Sequence, residues 1–172
     1  MKDTLSVIHE RKSVRNFTGK PVDKAALEKI VRAGMAAPSA VDKRPWSFVI
    51  VTDRKKLDRL AAGLPYAKML SKAGAAIVVC TEPGKANNGS TEYAVIDASL
   101  AGENILLAVE ALGLGAVWTA AYPNQDRMDL VRSELGIPGN VIPLAVIPIG
   151  EPTGEDKPKD KFNKEMIHRE QW

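Results

Sequence analysis

A chain of 172 residues, 45% hydrophobic and 26% charged, is long enough to bury about two-thirds of its unfolded surface, and with 5% aromatics its core is aliphatic. The 24 basic and 21 acidic residues are interspersed and leave a formal charge of +3, so charge makes no case for nucleic acid or a membrane surface as partner. A single cysteine rules out an internal disulfide and points to a reducing compartment; with no apolar leader core in Met1-Lys2-Asp3-Thr4 and no apolar run of membrane-spanning length, a cytoplasmic protein is expected.

Asp3 or Thr4 can cap a short helix to about Glu10, with Leu5 and Ile8 on one face. Arg11-Lys12-Ser13-Val14-Arg15 then packs three cations and a hydroxyl into five residues before the break at Asn16–Gly19. Forked Arg donors, a mobile Lys charge and a short Ser donor suit a dianionic phosphate on a polar tail. A charge run at a helix end also serves simply as a solvated face, so the cluster alone leaves both readings open.

Asp23 caps a second helix whose Leu27, Ile30, Val31, Gly34 and Met35 form one core-facing stripe, ended by Ala36-Ala37-Pro38-Ser39. After the loop Val41–Pro45, Trp46–Thr52 reads as a buried strand. Arg54–Ala62 is an amphipathic helix stopped at Gly63-Leu64-Pro65, and a further short helix is expected over Tyr66–Lys72. Ala75–Cys80 is apolar throughout and therefore a central strand, with Cys80 a small buried hydrophobe rather than a nucleophile. Glu82–Ser90, with Pro, two Gly and two Asn, reads as a mobile surface loop.

The longest helix is Tyr93–Leu112, apolar all round, which needs a partner on every side and so predicts burial of one face in a subunit interface. Ala116–Thr119 is a third strand, Gln125–Leu135 a helix capped by Gly136, and Leu144–Ile149 a fourth strand. The tail from Glu151 to Trp172 is polar, but its Phe162, Met166, Ile167 and Trp172 indicate that it docks on something. No repeat or linker divides residues 1–172, which read as a single domain.

Common catalytic signatures are missing. Gly113-Leu114-Gly115 lacks a third glycine and precedes a strand, the reverse of a dinucleotide fingerprint. His9 and His168 sit at opposite ends with no metal-ligand spacing, and there is no Walker loop or nucleophile elbow. No catalytic side chain and no metal site is nominated; any hard chemistry belongs to a cofactor.

Several segments in register resemble the FMN-dependent nitroreductase family. Arg11-Lys12-Ser13-Val14-Arg15-Asn16-Phe17 is similar to its opening Arg-basic-Ser-x-Arg/Lys-x-Phe motif, and Pro38-Ser39-Ala40-Val41-Asp42-Lys43-Arg44-Pro45-Trp46-Ser47-Phe48 to its Pro-Ser-x-x-Asn-x-Gln-Pro-Trp-x-Phe segment. Asp97–Ala108 with Gly113-Leu114-Gly115 resembles the central dimerisation helix, and Ile147–Pro152 with Lys159 and Lys161 the last strand and phosphate-contacting tail. Asp42 and Arg44 depart from the family's Asn and Gln: the one only accepts and the other only donates, so they can pair with each other.

The resemblance implies an α+β fold, a mixed, mainly antiparallel sheet sandwiched by helices, in an intertwined homodimer joined through the Tyr93–Leu112 helix and the C-terminal tail at 151–172. Two FMN molecules would lie between the subunits. Arg11, Ser13, Lys159 and Lys161 would neutralise the phosphate, Lys12 would reach the phosphate or ribityl chain, and Arg15 would face the pyrimidine edge. Pro38, Ser39 and Ala40 would pack on the ring from the partner, with Asp42 and Arg44 near its edge, and Thr119, Ala120 and Ala121 would bring backbone donors near N5. The implied activity is ping-pong hydride transfer from NADH or NADPH through FMN to a small nitroaromatic, quinone or similar conjugated acceptor. Dehalogenation or dehydrogenation on the same scaffold, or flavin binding without turnover, are the alternatives.

Overall fold

The computed structural model describes residues 3–172; Met1 and Lys2, part of the N-terminal stretch read above, lie outside the described residues. Successive residues of strand β2 (Ala75–Thr81) point to opposite faces, yet all seven are buried, so the sheet is covered on both sides. β1 (Trp46–Val51), β2, β5 (Ile142–Gly150) and β3 (Gly115–Ala116) lie side by side in that order, and β4 (Thr119–Ala120) also pairs with β5. Every one of these pairings is antiparallel.

The alternation along β2 separates two cores. Ala76, Val78 and Cys80 pack with Leu57 and Leu60 of α3 (Arg54–Gly63) and Met128 and Val131 of α5 (Gln125–Leu135). Ala75, Ile77 and Val79 pack instead with Leu27 and Ile30 of α2 (Lys24–Met35) and Ala98 and Ile105 of α4 (Thr91–Ala111). This is the sheet sandwiched by helices that the resemblance implied. The short α1 (Thr4–Glu10) leans on α4.

Each helix begins where the sequence offers a side-chain acceptor. Asp3, Asp23, Asp53, Ser90 and Asn124 each accept from backbone N–H groups of the following turn, worth about 1 kcal/mol apiece. α5 stops at Gly136, whose φ of 68° suits a residue without a Cβ.

Three segments differ from expectation. The third strand is two two-residue strands, Gly115–Ala116 and Thr119–Ala120, both on β5, with Val117 and Trp118 between them. The register on β5 is the same on both sides of the gap and sets Val117 opposite Pro148, which has no N–H to donate; a bulge at Leu144, whose carbonyl accepts from Ala121 N at 3.0 Å and Tyr122 N at 3.1 Å, lies beyond Ala120 and ends β4. The helix expected over Tyr66–Lys72 shrinks to a 3-10 turn, Lys68–Ser71, because the Arg54 guanidinium takes the Leu70 and Ala73 carbonyls at 2.5 and 2.8 Å, which ends the run. The Glu82–Ser90 loop is two successive 3-10 turns hinged at buried Ala86.

The stripe of α2 holds at Leu27, Ile30 and Gly34, whereas Met35 remains 53% exposed. α4 buries Ala98, Ala101, Ile105 and Val109 on the sheet side and leaves Ile96 and Leu100 open on the other, as its all-round apolar sequence required. Cys80 is buried, and Asn104 Nδ2 donates to the Ala33 carbonyl at 3.1 Å, tying α4 to α2.

Candidate functional site

The Arg11–Arg15 segment leaves α1 and runs beside β3. Val14 is 1% exposed, its N–H donates to the Ala116 carbonyl at 2.9 Å, and Ser13 forms a parallel bridge to Ala116. Val14 fits because Gly115 has no Cβ; one added there would overlap the Val14 side chain. With Val14 anchored inward, Ser13 and Arg15 face out.

The far end of the chain is laid against this segment. Phe17 bridges Pro152, Thr18 N donates to the Glu151 carbonyl at 3.0 Å, and Thr153 N donates to the Asn16 carbonyl at 3.1 Å. Asp156 Oδ2 accepts from Arg15 N and Asn16 N at 3.0 and 3.3 Å. Lys20 Nζ lies 2.8 Å from a Glu151 oxygen, and the Lys20 and Thr18 hydrogen bonds hold the Glu151 carboxyl below its ordinary range.

This clasp creates a cleft of about 490 Å³ lined by Arg11, Lys12, Ser13 and Arg15 from one end of the chain and Lys157, Lys159 and Lys161 from the other, with Glu155 and Asp156 its acidic members. The cations are differently engaged. Lys12 Nζ sits 3.1 Å from Oε2 of Glu110, a buried carboxylate of α4, and Arg11 Nε 3.5 Å from Glu103 Oε1. Arg15, Lys159 and Lys161 make no ion pair among the described residues.

Arg15 is also a wall of a second cavity, of about 540 Å³. Trp118, Thr119 and Ala120 line it from the β3–β4 segment, Tyr66, Lys68 and Met69 from the turn after α3, and Arg127 from the first turn of α5. Trp118 reaches its place because Gly102 of α4 has no side chain where the indole lies. Ala121 is buried behind this wall, its N–H spent on Leu144.

Pro38, Ser39, Ala40, Asp42 and Arg44 line neither space. Their loop is held by Ser39 Oγ, which accepts from Arg44 N at 2.9 Å, and by Asp97 of α4, whose Oδ1 accepts from Ala40 N at 3.0 Å. Val41, Asp42 and Arg44 all have φ near +50°, and Val41 is 75% exposed. Asp42 and Arg44 pair with each other, Arg44 Nε at 2.7 Å from Oδ1, and that hydrogen bond lowers the Asp42 carboxyl below its usual range.

Sequence reading missed Tyr66, Lys68, Met69, Trp118 and Arg127. They come from three separate segments with no shared spacing, and only the fold makes them neighbours. Among the described residues no group of three His, Cys, Asp or Glu side chains is placed to hold a metal, and no helix is long and apolar enough to cross a membrane.

An α+β sandwich whose two chain ends meet in a cationic cleft, sharing one arginine with an apolar cavity, is the class that fold and site define. The chain belongs to the nitroreductase family, whose model matches residues 8–64 and 61–151. It is 40% identical over 175 residues, spanning both chains fully, to an Archaeoglobus fulgidus protein provisionally named NADH dehydrogenase/NAD(P)H nitroreductase. A crystal structure of a protein of the same provisional name from Parabacteroides distasonis is 50% identical, with a TM-score of 0.94 over all of both chains. A provisionally named nitroreductase from Desulfovibrio desulfuricans, solved in complex with FMN, superposes with a TM-score of 0.84 at 26% identity, over 100% of this chain and 99% of that one.

Proposed function

We propose that this protein is an FMN-dependent oxidoreductase that uses NADH or NADPH to reduce a nitroaromatic, quinone or similar conjugated acceptor. The observation that carries this reading is the meeting of Arg11–Arg15 with Lys159 and Lys161 in one cleft. Its donor set fits FMN: a dianionic phosphate needs several cations and a short hydroxyl donor, and among the described residues Arg15, Lys159 and Lys161 make no ion pair that a ligand would have to break. The adjoining cavity, walled by Tyr66, Met69 and Trp118, has the size and apolar character suited to a flat ring system.

When bound, FMN would supply the redox chemistry, two-electron transfer from NAD(P)H to the acceptor, with both substrates using one site in a ping-pong order. The chain's own residues bind and orient. Arg11, Ser13, Lys159 and Lys161 hold the phosphate, while Lys12, drawn to Glu110, adds charge from the cleft wall. Arg15 keeps a fixed positive charge at the junction of the two spaces, where it would face the pyrimidine edge. Thr119 and Ala120 present backbone and small side chains to the ring, and Trp118 and Met69 exclude water. No side chain is required as a general acid or base.

The working unit is a homodimer. Leu5, Ile8, Met35, Ile96 and Leu100, from α1, α2 and α4, are 43–66% exposed and form the apolar surface that a second copy covers. The Pro38–Arg44 loop, which lines neither the cleft nor the adjoining cavity of its own chain, serves the partner's flavin, and the tail with Phe162, Met166 and Trp172 docks on the partner. The test is the spectrum of the purified protein: flavin bands that bleach on anaerobic addition of NADH or NADPH are expected. A preparation that stays colourless after FMN is added and the excess removed overturns the reading.

A further inference from the structure

The apolar cavity carries charge beyond the Arg15 that flavin binding uses. Its lining includes Arg15, Lys68 and Arg127 and no carboxylate, and none of the three makes an ion pair among the described residues. Arg15 is what the cavity shares with the phosphate cleft, whereas Arg127, together with Pro65, is shared with a smaller pocket of about 210 Å³ beside Asn124 and Asp126. The two arginines therefore mark different ends. Asp126 lines only the smaller pocket, so the charge of Arg127 is not answered within the cavity.

Arg127 is also held in place. Its guanidinium carbon lies 5.3 Å from the centre of the Tyr66 ring, and one terminal nitrogen donates to the Ala120 carbonyl at 3.4 Å. A guanidinium has five N–H donors in a rigid fork, and one contact of this kind leaves most of them to a ligand. A neutral planar acceptor would sit against these cations without using them. One bearing an anionic group gains a forked, charge-assisted contact in a partly desolvated place.

We propose that the Arg127 end of the cavity binds the carboxylate of the electron acceptor, so that the preferred acceptors are planar conjugated carboxylates. This rests on the flavin-oxidoreductase reading above and narrows its substrate class. Arg127 is thereby a specificity-determining residue.

The test is calorimetry on the FMN-loaded protein with benzoate and its neutral isostere benzamide, after FMN affinity itself has been measured. Benzoate is expected to bind about tenfold more tightly. Arg127→Gln abolishes that preference with FMN affinity unchanged, and Arg127→Lys restores part of it; melting curves check that the variants fold. The ratio of kcat/KM for 4-nitrobenzoate over 4-nitrobenzamide falls in parallel. Equal affinity for benzoate and benzamide in the natural protein overturns the proposal. So does an Arg127→Gln variant that weakens ADP-ribose while leaving benzoate untouched, which assigns the cations to the nucleotide's phosphates. FMN binding without benzoate preference defeats this proposal alone, while absence of FMN binding defeats the reading beneath it.

Discussion

Lys12 shows how a group of like charges is kept together. Its side chain, 22% exposed, places the ammonium on the buried carboxylate of Glu110, so α4 supplies counter-charge beneath a cleft that is positive at its mouth. Removing the cation leaves Glu110 buried with less compensation. Lys12→Met should therefore cost about 2–3 kcal/mol of stability in urea unfolding, yet weaken FMN binding less than Lys159→Gln does. Cys80 is the contrary case, a reactive group made inert. Burial pushes its thiol up to about 12, so in the folded protein it should not react with a disulfide reagent at pH 8, whereas in urea it should react at once. A fast folded-state reaction would show that the β1–β2–β5 core opens locally. At this scale the sequence was informative where chemistry is contiguous. Arg11, Ser13 and Arg15 stand out because they share one stretch, and Asp42 and Arg44 pair as their complementary charges allow. Tyr66 and Arg127 are 61 positions apart in number, and nothing in either neighbourhood marks them as a pair.

Among the elements, β3 and the Glu151 clasp do most to place the site. Gly115→Ala drives a Cβ into Val14, which anchors the cationic segment, and should cost about 1–3 kcal/mol while also weakening FMN binding. A stability loss with unchanged FMN affinity would show that the segment does not depend on β3. The Glu151 carboxyl, held below its ordinary value of 4.5 by Lys20 and then Thr18, favours the folded state above that value, and the benefit disappears as pH falls through the lower folded value. The difference in melting temperature between the natural protein and Glu151→Gln should thus be present at pH 6 and shrink toward pH 3. Helices were legible because period and caps agree: Asp23 with the Leu27–Ile30–Gly34 stripe, and Asn124 with Gly136. The third strand was not. Its division falls where Val117 comes to lie opposite Pro148, which is a matter of register between strands far apart in sequence and has no local signature.

For the whole molecule, the exposed apolar residues of α1, α2 and α4 are the surface on which the proposed dimer rests. Leu100→Lys, a charge placed on that face, should shift the mass in light scattering from dimer toward monomer and lower FMN affinity with it. A dimer unaffected by the substitution would put the interface elsewhere. The sequence of α4 already announced an outer partner by being apolar all round, but which face would remain open could be read only once the sheet had claimed the other. What joins these levels is the clasp between residues 15–18 and 151–156, which carries Lys159 and Lys161 from one end of the chain to Arg11–Arg15 near the other. The most direct test is to titrate the protein with FMN and with riboflavin, which differ only by the phosphate. FMN should bind about a hundredfold more tightly at low salt, with the gap narrowing as salt rises and nearly closing in a Lys159→Gln/Lys161→Gln double variant. Equal affinity for the two flavins, or a gap that the double variant leaves intact, would contradict the account.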